Sequence, residues 1–220
     1  MKMVMERVCS KGRPREFDID EALAAALRVF WRKGYEGASL TDLTEEMGIT
    51  RPSLYAAFGN KEALFRKALD LYEREKLAYI GEALKAPTSL EVAERLLRGA
   101  LAMQTSECEP VGCMRVLSSV SCSPEAESIR ADLMTRRQSS QRALCERMQR
   151  AKDQGDLPAH TDVEGLCAYL GAILGGLSVQ ASSGASKAQL EGLVDTALKM
   201  WPKSEKNNFV PGGTERLTNG

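Results

Sequence analysis

Residues 39–62 read SLTDLTEEMGITRPSLYAAFGNKE, and the way this stretch divides into helices decides the fold. Ser39 can accept a hydrogen bond from an early backbone N–H while Asp42 reaches back, a capping-box start. Leu40, Leu43 and Met47 then recur at helical spacing and give one apolar stripe. Gly48 stands where a helix C-terminus turns left-handed. Thr50 caps a second helix, and Pro52 falls in its first turn, where a missing N–H costs little. Leu54 and Phe58, four apart, face inward. Two short helices with a tight turn make a helix-turn-helix pattern, which on spacing alone also suits an ordinary helical hairpin with a solvated polar face.

The outward face of the second helix carries Thr50, Arg51, Pro52, Ser53, Tyr55 and Ala57, which are donors and small residues rather than acids. Arg51 can reach a guanine edge or a phosphate. Thr50, Ser53 and Tyr55 carry hydroxyls suited to phosphate or base contacts. Lys61 opens the next helix, where ammonium and N-terminal amides can share one phosphate. Ser39 and Thr41 on the first helix complete the expected face. Residues 1–17 carry Lys2, Arg7, Lys11, Arg13 and Arg15 against Glu6 and Glu16 and read as a solvated basic arm. Placed before such a head, Arg13 and Arg15 are the residues expected to neutralise phosphates or enter a minor groove.

The run GYEGASLTDLTEEMGITRPSLYAAFGNKEALF, residues 34–65, resembles the DNA-binding signature of TetR-type (tetracycline-repressor-like) transcriptional regulators. Gly34, Ser39, Leu43, Gly48, Leu54, Tyr55, Phe58, Lys61 and Leu64 carry the resemblance, which extends over about Asp18–Tyr72. Gly59-Asn60, Ala56, Ala57 and Pro52 depart from residues common in that signature, at places where base choice is made. The resemblance implies a two-fold symmetric DNA reader with an effector pocket in a C-terminal bundle and a dimer formed through the last two long helices.

Overall composition fits that reading but does not require it. The 220 residues have balanced charge, with 30 Lys+Arg and 30 Asp+Glu, so DNA affinity must rest on local charge. The polar N-terminus lacks an apolar signal core, and the irregular cysteines imply free thiols in a reducing cytoplasm. Apolar periodicity predicts an all-α chain: a helix-turn-helix head over 18–60, a connecting helix over 61–84, and a C-terminal domain over 88–202. Gly34 is expected to end the first helix and Pro202 the last, with a disordered tail over 203–220. Ser123-Pro124-Glu125 is expected to open a long helix running to about Gln154.

In the second half, the helix from Asp162 shows a strip of small residues, Gly171, Gly175, Ser178 and Ser182. With Leu190, Val194, Ala197 and Trp201 of the final helix, it is the expected dimer face. Glycines, serines and Gln180 leave too short an apolar run to span a membrane. The long helix interrupts its apolar stripe at Arg137 and Ser140, a polar break that can be a solvent gap or a site lining. Leu97, Leu101, Gln104, Leu117, Arg137, Gln141, Leu144, Tyr169 and Ile173 are the expected lining of the effector pocket that the resemblance implies. Cys108, Cys113 and Cys122 lie close in sequence with Met103 and Met114 nearby, a soft donor set suited to thiol or metal sensing. No C-x-x-C occurs, however, so structural cysteines are the plainer reading and no metal or cofactor site is assigned. No phosphate-cradling loop, H-E-x-x-H or G-x-S-x-G occurs either, and no enzyme is expected. The reading is a homodimeric repressor of a palindromic operator, released by a small-molecule effector. Its alternatives are a thiol- or metal-responsive regulator, or a helical interaction module or enzyme.

Overall fold

The computed structural model describes residues 17–107, 109–120 and 126–204. Arg13, Arg15, Cys108, Cys122, the expected helix start at Ser123-Pro124-Glu125 and the tail beyond Ser204 lie outside the described residues. Among those described there are helices and no strand, as the all-α reading requires. In chain order they are α1 (Ile19–Gly37), α2 (Leu40–Met47), α3 (Arg51–Phe58), α4 (Lys61–Lys76), α5 (Ala78–Ala83), α6 (Ser89–Gln104), α7 (Met114–Val120), α8 (Glu127–Asp153), α9 (Val163–Ser182) and α10 (Lys187–Lys199).

Side-chain caps set the starts of the first four helices. Asp18 accepts from the Asp20 and Glu21 amides. Ser39 and Asp42 form the reciprocal capping box. Thr50 accepts from Ser53 and Asn60 from Ala63. Each such cap contributes about 1 kcal/mol. The apolar stripes of α1, α2, α3 and α4 then meet in one core, where Phe30, Trp31, Leu43, Leu54, Phe65, Leu69 and Tyr72 are fully buried. Phe30 meets Phe65 edge-on at 5.1 Å and Trp31 meets Tyr72 edge-on at 4.8 Å. This core does not stop at the head, because Met114 of α7 and Ile129 and Leu133 of α8 pack into it.

The C-terminal bundle has its own core. Val92, Leu96, Leu97 and Ala100 of α6 pack with Leu144 and Met148 of α8, Cys167, Leu170 and Leu177 of α9, and Leu190 and Val194 of α10. Trp201 is buried here and donates to the Ser89 hydroxyl at 3.3 Å. Arg147 is buried too, and its guanidinium donates to the carbonyls of Leu84, Ala86 and Pro87. It thereby satisfies acceptors at and beyond the end of α5 that no intrahelical bond reaches. Periodicity gave no hint of this role for a charged residue.

Four expectations on helix boundaries and faces need correction. Gly34 does not end the first helix. It takes φ 69 and ψ 178 inside α1 and kinks it, and the chain continues to Gly37. The left-handed φ, open to glycine at no steric cost, permits a bend without a stop. The connecting helix over 61–84 is broken at Leu77, which has φ −102 and ψ 4 and donates to Tyr72. Neither Gly nor Pro marks the place. Past the break, the Tyr79 ring lies against the bare backbone of Gly99 on α6, where any Cβ would collide with it. The last helix ends at Lys199, so Trp201 packs from just beyond it. Finally, Ser178, Leu190, Val194, Ala197 and Trp201 are buried within the single chain and belong to its core, not to a face free for a partner.

Candidate functional site

On the head, the second helix of the turn presents Thr50, Arg51, Pro52, Tyr55 and Ala56 to solvent, while Leu54 and Phe58 are buried. Tyr55 is 48% exposed, a large aromatic with no packing reason to face water. The Arg51 guanidinium donates to the Thr41 hydroxyl at 2.8 Å, so α2 braces the arginine across the turn through a neutral partner. Thr50 and Ser53 share a hydroxyl–hydroxyl bond of 2.9 Å. The Ser39 hydroxyl is committed locally, accepting from the Asp42 amide and donating to its carboxylate. The Lys61 ammonium sits 4.6 Å from the Tyr35 ring centroid, and burial lowers its pKa against the raising influence of Glu36.

Elsewhere on the head, charges are matched within the chain. Arg28 and Arg32 of α1 pair with Glu46 at 3.6 and 3.1 Å, and Lys33 pairs with Asp42 at 2.6 Å. Lys33, together with the Ser39 amide and hydroxyl, holds the Asp42 carboxyl well below the usual carboxylate range. These α1 cations are therefore spoken for, whereas Arg51 has no acid beside it among the described residues. The exposed donors of Thr50, Arg51 and Tyr55 form one convex edge at the N-terminal half of α3. That shape and chemistry suit a groove lined by phosphates and base edges.

In the bundle, a cavity of about 290 Å3 lies between α5, α6, α7, α8 and α9. Four of the expected lining residues, Gln104, Arg137, Gln141 and Leu144, do line it. Leu97, Leu101, Leu117, Tyr169 and Ile173 do not. The sequence reading missed Leu77, Tyr79 and Ile80, which face the cavity only because of the break before α5, and Cys113, Arg115 and Val116 at the start of α7. Gly171 and Gly175, expected at a dimer face, line the cavity instead, and Ser182 is exposed. Ser178 accepts from the Cys113 amide at 2.6 Å, which fixes the start of α7 onto α9.

Two routes join this cavity to the head. The Trp31 indole of α1 donates to the Gly112 carbonyl at 2.6 Å, immediately before Cys113. The buried Tyr72 hydroxyl of α4 donates to the Cys113 thiol at 3.3 Å and lies 3.6 Å from the Met103 sulfur. Burial pushes the Tyr72 phenol far above its ordinary value, so it remains a neutral donor. The second route is ionic. Arg115 pairs with Glu73 of α4 at 3.4 Å, and Arg136 of α8 pairs with Glu73, Asp70 and Asp132 at 2.8, 2.7 and 3.0 Å. Those carboxylates, with desolvation opposing them, hold the Arg136 guanidinium charged.

Of the three cysteines of the thiol alternative, Cys113 alone lies among the described residues. Among the described residues no group of three or more His, Cys, Asp or Glu side chains is placed to hold a metal ion. Cys113 is half-buried in the cavity wall, and burial raises the pKa of the Cys167 thiol well above its ordinary value.

Comparison with known proteins agrees with the head and with the whole chain. The family profile described as bacterial regulatory proteins, tetR family, matches residues 22–68. The HTH-type transcriptional repressor ComR of Escherichia coli (strain K12) is 37% identical over 199 residues, 90% of this chain and 95% of that protein. The HTH-type transcriptional regulator YezE of Bacillus subtilis (strain 168) is 33% identical over 192 residues, 86% of this chain and 98% of that one. A cysteine mutant of the TetR family transcriptional regulator CifR, solved in complex with 26-base-pair double-strand operator DNA, superposes with a TM-score of 0.82 at 46% identity. The match covers 86% of this chain and all of that one.

Proposed function

The chain belongs to the TetR family of helix-turn-helix transcriptional regulators, and from that premise we propose that it is a cytoplasmic homodimeric repressor released from a palindromic operator by a small molecule. The observation that carries this reading is the pairing of an exposed Thr50–Arg51–Tyr55 edge with an apolar cavity joined to it through Trp31 and Tyr72. Two copies related by a two-fold axis would set their α3 helices in successive major grooves, about 34–36 Å apart. Arg51, Thr50, Tyr55 and Lys61 contact the duplex, joined by Ser53, Thr41, Pro52 and the backbone at Ser39. Arg13 and Arg15 add phosphate contacts from the arm. Family membership makes regulation of transcription the role of the chain.

The face that meets the second copy is re-drawn from the burial pattern. Helix α9 has a mean hydropathy of 1.3 yet only 33% of it is buried. Against the expectation of too short an apolar run, it is long and apolar enough to cross a membrane by length and composition alone. In a chain with a DNA-reading head, a second copy is the better cover for such a helix. Gly165, Ala168, Ala172 and Val179 form its exposed stripe, and Met200 beyond α10 is 70% exposed beside it in the sequence order of the two helices. Small residues allow close helix approach. Ala172→Arg is expected to convert the dimer to monomer at micromolar concentration, read by sedimentation. An unchanged dimer would place the interface elsewhere.

The mechanism is a population shift. A ligand in the cavity that prefers a displaced Cys113–Val116 segment moves α1 through Gly112 and α4 through Tyr72 and Glu73, and so alters the spacing of the two heads. Operator affinity falls by the ligand's differential affinity for that state. The test is a titration of the purified chain with the promoter DNA beside its own gene at several salt concentrations. Binding should weaken by roughly a thousandfold or more between 50 and 200 mM salt if six or more phosphates are contacted. An intact dimer that binds no DNA at low salt would sink the reading.

A further inference from the structure

The cavity is mostly apolar, and one of its polar side chains is buried with an atom left unpaired. Gln104, the last residue of α6, is 4% exposed and lines the cavity, and its Oε1 has no hydrogen-bond partner among the described residues. A buried amide oxygen left unpaired is costly, so a position that keeps one invites a donor from outside. Of the other polar groups of the wall, Gln141 is half-buried and its amide nitrogen reaches only the Cys145 sulfur, at 4.0 Å, while the rest are engaged or peripheral. Arg115 is paired with Glu73 and Ser140, and the Cys113 thiol accepts from Tyr72. Arg137 is exposed, at the solvent side. Among the described residues no Asp or Glu lines the cavity, so a cation finds no partner among them.

We propose that the cavity takes a small neutral phenol, its hydroxyl donating to Gln104 Oε1 once the side-chain amide turns that buried oxygen toward the ligand, and its ring lying among Leu96, Leu133, Leu144 and Leu174. This deepens the effector reading above and rests on it. Aromatic character follows from the Tyr79 ring and the sulfurs of Met103 and Cys113 in the same wall, which favour a ring over an alkyl chain. Size follows from volume. A 150 Å3 apolar cavity accommodates benzene, so about 290 Å3 suits roughly twelve non-hydrogen atoms.

The probes are 2-naphthol, naphthalene, 2-methoxynaphthalene and 2-naphthoate, titrated calorimetrically into the full-length chain without DNA. Expected is a roughly tenfold tighter Kd for 2-naphthol than for naphthalene or 2-methoxynaphthalene, the return of one hydrogen bond to a neutral acceptor. Gln104→Leu, close in volume, should abolish that preference while leaving naphthalene binding equal or tighter. Gln104→Met provides the same comparison should the leucine variant melt early. Four results would overturn the proposal: no binding by any probe, equal binding of naphthalene and 2-naphthol, equal binding of the methyl ether, or a preference that survives both substitutions. A tighter 2-naphthoate complex that weakens in Arg137→Ala would also overturn it, in favour of an anionic ligand. A gel shift at saturating 2-naphthol separates the two layers. Operator retained despite Gln104-dependent binding would defeat the effector reading and leave the phenol subsite standing.

Discussion

Arg51→Ala is expected to weaken operator binding by roughly 30-fold to ten-thousandfold while leaving fold and dimer intact. A single arginine on a base edge contributes about 1–3 kcal/mol, and a two-fold symmetric complex loses it at both half-sites, hence about 2–6 kcal/mol in all. The unbound protein loses little, because Arg51 is exposed and bonds only to the Thr41 hydroxyl among the described residues. Anisotropy with labelled operator measures the effect, and repetition over a range of salt identifies its origin. A guanidinium on a base edge leaves the salt slope unchanged and relaxes specificity. One on a phosphate lowers the slope by about one per half-site. An affinity within threefold of the parent would mean that α3 does not present this face to DNA.

The second large effect is on stability. Trp31→Ala should destabilise the chain by about 3–5 kcal/mol, the usual cost of emptying a fully buried aromatic site. Trp31 has no exposed surface, packs edge-on against Tyr72 and donates to Gly112. Trp31→Phe retains much of the ring but orphans the Gly112 carbonyl, for an expected loss of about 1–3 kcal/mol. Urea unfolding of the three proteins gives both values. A phenylalanine variant with an unchanged midpoint would show that the indole–carbonyl bond contributes nothing and that the link from head to α7 is packing alone.

The head was legible residue by residue because its signals are local. Ser39 and Thr50 cap helices whose apolar positions repeat within a few residues, and those caps form as spacing implies. What escaped the sequence was decided at long range. No breaker residue announces the break at Leu77, and the segment beyond it packs at long range, Tyr79 meeting Gly99 about twenty residues on. The small-residue strip of α9 was visible, but periodicity alone could not say which phase faces the chain's own core. Gly171, Gly175 and Ser178 turned inward, and Gly165, Ala168 and Ala172 outward. Of the nine residues expected in the cavity wall, those from one helical face of α8 and the end of α6 reached it. Leu97, Leu101, Tyr169 and Ile173 pack in or against the bundle core instead. A polar residue interrupting an apolar stripe proved the better pointer to the void than the apolar residues around it.

The interruption between α4 and α5 has a mechanical consequence. An unbroken rod over residues 61–84 would carry any push from the bundle stiffly along its length. Here the rod has an elbow, and Leu77 at the elbow is itself part of the cavity wall. A load applied at an elbow changes its angle most readily, and the arm on the far side, α4, ends in the Lys61 terminus that abuts the recognition helix. Under the proposed effector mechanism, the volume of a bound molecule would be converted into an angle, and the length of α4 would magnify that angle into a displacement of the head.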